Sequence, residues 1–211
     1  DIDSLLVLAG PGSGKTFCLI ERIRYLIEKR HFNPARICAF TFTNKAAGEI
    51  AERLDRLPGG AGEKVSRGTI HAFCANLLRE NADLVGLRSG FGIADEDYQM
   101  SILRRLRIPS KFHRNTLRSF SNHKMRDDPL YPSDQRHFEK YSAYLREKNV
   151  VDFDDLVLKA AELLAGEAGE FIRKRWDAIL VDEFQDLNPV QYGLIRDLAL
   201  HHKQIFAVGD D

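Results

Sequence analysis

At 211 residues the chain can bury one good core and a smaller satellite, but hardly two full lobes. Its 31 Lys+Arg balance 31 Asp+Glu, and Cys18, Cys38 and Cys74 stand far apart among apolar neighbours, which argues for core thiols and against a disulfide framework or a zinc site. Every apolar run is strand-sized, so neither a signal peptide nor a membrane span is expected, and the chain reads as cytoplasmic.

The apolar run at 4–9 ends in a glycine-rich turn, and residues 16–30 follow with Phe17, Leu19, Ile20, Ile23, Leu26 and Ile27 at helical spacing. The strand, loop, helix unit repeats at 37–42 and 44–57, with a Pro-Gly loop at 58–62, and again at 65–69 and 70–81. Strands alternating with helices predict an α/β fold with a parallel sheet covered by helices, since parallel neighbours need a crossover between them. The rhythm then breaks. Residues 95–107, 111–123, 133–148 and 152–164 all read as helix, with Pro109, Pro129 and Pro132 at the joints. Strand, helix and strand return at 178–181, 190–200 and 204–208, so the middle stretch is an all-helical insertion.

Charge follows this division. Residues 101–150 carry twelve Lys/Arg against five Asp/Glu, and residues 151–211 carry six against thirteen. A basic insertion points to an anionic partner, nucleic acid first, with a solvated helical face as the plain alternative. The chain opens on Asp1 rather than Met and stops three residues after the apolar run 205–208, so both ends are expected to lie inside a longer polypeptide.

Ala9-Gly10-Pro11-Gly12-Ser13-Gly14-Lys15-Thr16 lies between strand and helix, where a phosphate-binding loop must lie. Its glycines let backbone N–H groups close around phosphate oxygens, Lys15 reaches the outer phosphates and Thr16 offers a hydroxyl to Mg²⁺. Ala9 replaces the usual first glycine, which the strand exit tolerates. Such a loop needs an acidic strand end opposite, and Ile179-Leu180-Val181-Asp182-Glu183 supplies it: Asp182 to hold the metal with Thr16, Glu183 to orient and deprotonate water.

Val181-Asp182-Glu183-Phe184-Gln185-Asp186 resembles the DExQD form of motif II in UvrD/Rep/PcrA-like helicases of superfamily 1. In matching order, Thr41-Phe42-Thr43-Asn44-Lys45-Ala46-Ala47 resembles motif Ia, Gly68-Thr69-Ile70-His71-Ala72-Phe73 resembles motif Ib, and Val208-Gly209-Asp210-Asp211 resembles the opening of motif III. Val151-Asp152-Phe153 is similar to the segment by which the family's inserted subdomain returns to the core.

The resemblance spans the whole chain and implies a RecA-like lobe, 1A, over residues 1–92 and 166–211, with helical subdomain 1B inserted at 93–165. It implies an ATP- and Mg²⁺-dependent motor stepping 3′ to 5′ along single-stranded DNA at duplex junctions, in repair or replication. A second RecA-like lobe in the parent chain would supply arginines, and no membrane is involved. Lys15, Asp182 and Glu183 are then catalytic, and Gln185 joins residues 9–16 as a nucleotide contact. On the DNA side, Phe42 follows a core strand where a ring can stack on a base, Asn44 and Lys45 can meet phosphates, and Thr69 and His71 occupy the equivalent strand exit. A core aromatic is the competing reading of Phe42.

Three features depart from the family pattern. The upstream glutamine segment that reads adenine has no counterpart, Phe17 stands where relatives often have Arg, and Ile70 replaces a common aromatic. Two further readings remain open: the same lobe of a RecB-type helicase–nuclease, and a nucleic-acid-binding module that does not hydrolyse ATP.

Overall fold

A computed structural model describes residues 4–10, 12–200 and 204–210. The chain divides into two compact units, one of Asp1–Phe73, Leu164–Leu187 and Gln191–Asp211, the other of Cys74–Leu163 and Asn188–Val190.

The first unit is built on a five-stranded sheet in which every pairing is parallel. Its strands are β1 (Ser4–Leu8), β2 (Ile37–Thr41), β3 (Ser66–Thr69), β6 (Ala178–Val181) and β7 (Gln204–Gly209), in the order β1-β7-β6-β2-β3. The expected α/β fold with a parallel sheet is thus the one observed. Helix α1 (Lys15–Glu28) buries Leu19, Ile20, Ile23 and Leu26, the stripe its sequence spacing predicts. These side chains share a core with Ile37 and Ala39 of β2, Leu180 of β6, Phe206 and Val208 of β7, and Ile50 and Leu54 of α2 (Asn44–Leu54). On the opposite face Phe40 meets Phe73 edge-on at 4.9 Å, and Phe73 meets Trp176 at 5.3 Å. Strand β2 is buried along its whole length, as a strand covered on both faces must be.

In the second unit, α4 (Glu96–Arg105), α5 (His113–Arg126) and α6 (Pro132–Lys148) pack Ile102, Leu103, Phe120, Tyr141 and Leu145 together. Asp95 caps α4 by accepting from the Tyr98 N–H, and proline opens α6. Lys124 donates to Asp152 and Asp155, both at 2.7 Å, and the Tyr141 hydroxyl meets Asp152 at 2.9 Å. Asp152 in turn precedes α7 (Phe153–Ala165) and accepts from the Asp155 N–H.

The all-helical expectation needs one correction here. Gly92–Ile93 (β4) and Val150–Val151 (β5) form a two-stranded parallel ribbon, each strand too short to show a period of two. A further short helix, α8 (Glu167–Arg173), was not expected either. Among the described residues no helix is long and apolar enough to cross a membrane.

Candidate active site

All five strands point the same way, so their carboxyl ends line one edge of the sheet, where open α/β sheets place their ligand crevices. Register brings Leu8 of β1 beside Gly209 of β7, Phe40 of β2 beside Val181 of β6, and Thr41 beside Thr69 of β3. Five loops remote in sequence therefore leave the sheet side by side.

The loop after β1 turns tightly. The Ala9 N–H donates to the Gly209 carbonyl at 3.0 Å, and Gly12 and Gly14 adopt φ of 74° and 90°, conformations that glycine reaches without strain. Gly14 caps α1 without a side-chain hydrogen bond, which leaves the first N–H groups of the helix to meet an anion. Pro11 lies outside the described residues.

Lys15 is buried, and its Nζ donates to the Asp210 carboxylate and, at 3.4 Å, to the Ala9 carbonyl. The hydrogen bond to Asp210 raises its pKa against the effect of burial, helped by the charges of Glu183, Asp210 and Asp182. Thr16 Oγ1 donates to Asp182 Oδ2 at 2.9 Å. Asp182 is 2% exposed, and burial lifts its pKa above the usual carboxylate value while the Thr16 hydroxyl pulls it back. One hydroxyl and one carboxylate in contact form a sparse set of hard oxygens. That set suits Mg²⁺ completed by water and substrate phosphates, not an all-protein cage.

Glu183 is half-buried at φ 51°, in the left-handed region that non-glycine residues seldom occupy. Its N–H donates to Asp182 Oδ1 at 3.1 Å. Gln185 Nε2 donates to Glu183 Oε2 at 2.9 Å, and Gln185 Oε1 accepts from the Asp210 N–H at 3.0 Å. Lys15, Asp210, Gln185, Glu183, Asp182 and Thr16 thus form a closed ring. Asp210 is the member that site assignment from sequence passed over. An acid just past a buried strand, two positions after Val208, was the available signal.

Next to this ring stand the groups expected on the DNA side. Phe42 is 40% exposed, which removes the core-aromatic reading. Asn44 and Lys45 are exposed at the start of α2, where Thr43 Oγ1 accepts from the Ala46 N–H. Thr69 caps α3 (Ile70–Glu80) by accepting from the Ala72 N–H, and His71 is half-buried in its first turn. Ile70 is aliphatic and buried, so it offers a ligand neither a ring nor a surface, whereas Phe17 is 57% exposed beside Thr16. Between the two groups, the Asp182 N–H donates to the Phe40 carbonyl at 2.8 Å. Thr41, next along, buries an Oγ1 that has no hydrogen-bond partner among the described residues.

Within the helical unit, a cleft of about 1010 Å³ is lined by Arg107, Phe112, Arg118, Tyr131 and His137 among others. Arg104, Arg105, Lys111 and Arg114 are exposed elsewhere in the same unit.

Residues 2–211 match the family model of the UvrD/REP helicase N-terminal domain. The chain belongs to this family. It is 37% identical to the ATP-dependent DNA helicase Rep of Buchnera aphidicola, over 98% of this chain and 33% of that protein. It is 35% identical to the ATP-dependent DNA helicase PcrA of Staphylococcus aureus and 36% identical to PcrA of Bacillus subtilis, again over 98% of this chain and over 31% and 30% of theirs. The chain therefore spans about a third of the length of these relatives, and within the UvrD/REP family it corresponds to the N-terminal part.

Proposed function

We propose that this chain is the ATP- and single-stranded-DNA-binding N-terminal part of an ATP-dependent DNA helicase that moves 3′ to 5′. Residues 1–92 and 166–211 would be the RecA-like lobe 1A, and residues 93–165 the inserted subdomain 1B. The observation that carries the reading is the ring joining Lys15, Thr16, Asp182 and Glu183, because it gathers every group that phosphoryl transfer requires of this lobe. Direction of movement rests on the family resemblance.

In this reading Gly10, Gly12, Ser13 and Gly14 wrap the phosphates, and Lys15 exchanges Asp210 for the β- and γ-phosphate oxygens. Thr16 and Asp182 would hold Mg²⁺, which would supply positive charge beside the phosphates. Glu183 orients a water whose oxygen attacks the γ-phosphorus; the bond to the β–γ bridging oxygen breaks, ADP leaves, and Glu183 takes the proton. Phe42 stacks on a base, and Asn44, Lys45, Thr69 and His71 hold the strand beside it. The basic helical insertion adds electrostatic attraction and serves duplex at a junction, and the rest of the parent chain provides the second lobe. Titration with Mg-ATP and with fluorescent oligonucleotide tests the proposal. Saturable binding of both is expected, and failure to bind either at low salt would refute it.

A further inference from the structure

Gln185 was expected to touch nucleotide, yet its side chain is held by protein at both ends. Nε2 donates to Glu183 Oε2 and Oε1 accepts from the Asp210 N–H. A carboxylate demands a donor and an N–H demands an acceptor, so the two partners fix which way round the amide sits. The amide end also lies close against Gly209. A Cβ on Gly209 would stand 2.8 Å from Gln185 Oε1, so the amide end would have to shift to admit it. Glu183, for its part, leaves β6 in a left-handed backbone conformation and is only half-buried, so packing alone does not set its carboxylate.

We infer that Gln185 is a positioning residue: seated on the Asp210 N–H where β7 ends, it holds the Glu183 carboxylate in its working orientation. Hydrolysis then depends on the conformation of the chain as it leaves β7, because a shift there withdraws the N–H that seats the amide. The inference rests on the proposed role of Glu183 toward water. It gives Gln185 a part distinct from binding nucleotide.

The test is steady-state ATP hydrolysis with single-stranded DNA in the intact helicase that carries this chain, with Mg-ATP affinity measured in parallel. Gln185→Ala should lower kcat about ten- to a hundredfold, the scale of a displaced catalytic group, with KM and affinity for ATP little changed. Gln185→Glu keeps an acceptor for Asp210 but sets a second carboxylate against Glu183, and it should lose as much kcat. Gly209→Ala, which removes no polar group but pushes the amide aside, should do likewise.

Wild-type turnover by Gln185→Glu would reduce the residue to a loop tether and overturn the inference. So would a raised KM at unchanged kcat. A wild-type protein that neither binds nor hydrolyses ATP would overturn the proposed function itself.

Discussion

Lys15 reaches the carboxylate of Asp210, a residue 195 positions later that stands where β7 leaves the sheet. The Lys15 ammonium is thus already neutralised by an acid, and in the proposed reading a nucleotide must displace that acid to bind. Parallel pairing of β1 with β7 makes the contact possible, since it sets Leu8 beside Gly209.

Displacement has a measurable consequence. Lys15→Ala removes the ammonium and should weaken Mg-ATP binding roughly ten- to a hundredfold, the scale of a hydrogen bond to a charged group. Asp210→Asn weakens the competitor and should tighten binding. Isothermal titration calorimetry reads both, and weaker binding by Asp210→Asn would show that the acid assists the nucleotide.

Stacking and charge should separate on the DNA side. Phe42→Ala should cost about 1–3 kcal/mol of single-stranded DNA affinity with an unchanged salt slope, because stacking releases no counterions. Lys45→Ala, and Arg107→Ala with Arg118→Ala in the helical unit, should each flatten the dependence of affinity on salt by roughly one ion for every phosphate left without its cation. Fluorescence anisotropy across a salt series decides it. A Phe42 effect that vanishes at high salt would contradict stacking.

The buried cluster in the helical unit predicts a pH-dependent stability. Burial alone would lower the pKa of Lys124, but the carboxylates of Asp152 and Asp155 outweigh it and hold the ammonium above its ordinary value. Its contribution to stability is therefore present at neutral pH and lost only as pH rises past the ordinary lysine range. Lys124→Met strands the buried Asp152 carboxylate and the partly buried Asp155 and should destabilise by about 3–5 kcal/mol at neutral pH. Burial already holds Asp155 above the usual carboxylate value, and without Lys124 it should take up a proton more readily still. The loss should therefore shrink toward acid. Urea denaturation at several pH values checks this, and a small, pH-independent loss would contradict it.

Much of this was legible in the sequence, for reasons that particular residues make plain. The alternation of apolar strand and amphipathic helix fixes each βα unit locally, and the loop at 9–16 carries its own backbone requirement in its glycines. The ribbon of Gly92–Ile93 with Val150–Val151 was hidden because two residues show no period. The pairing of Lys15 with Asp210 and the seating of Gln185 were hidden for another reason. Both depend on which strands become neighbours in the sheet, and local pattern does not encode that order.

The last prediction follows from how phosphoryl transfer is catalysed. An arginine supplied across a cleft is worth about 10³ to 10⁵ in rate, because it meets charge that develops only in the transition state. In the proposed reading that arginine belongs to the second lobe, while the ring around Lys15 and Asp182 supplies binding and the water-orienting base. The 211-residue chain alone should then bind Mg-ATP yet hydrolyse it at a small fraction of the intact helicase's rate, and should not separate duplex strands. Glu183→Gln should change little in the isolated chain, where the missing arginine limits the rate. In the intact helicase the same substitution should abolish DNA-stimulated turnover while nucleotide still binds. Steady-state ATPase assays with and without single-stranded DNA, followed by a strand-separation assay, make the comparison. Vigorous DNA-stimulated hydrolysis by the isolated chain would mean that an arginine reaches the γ-phosphate from this chain or from a second copy of it, and the division of labour between two lobes would have to be given up.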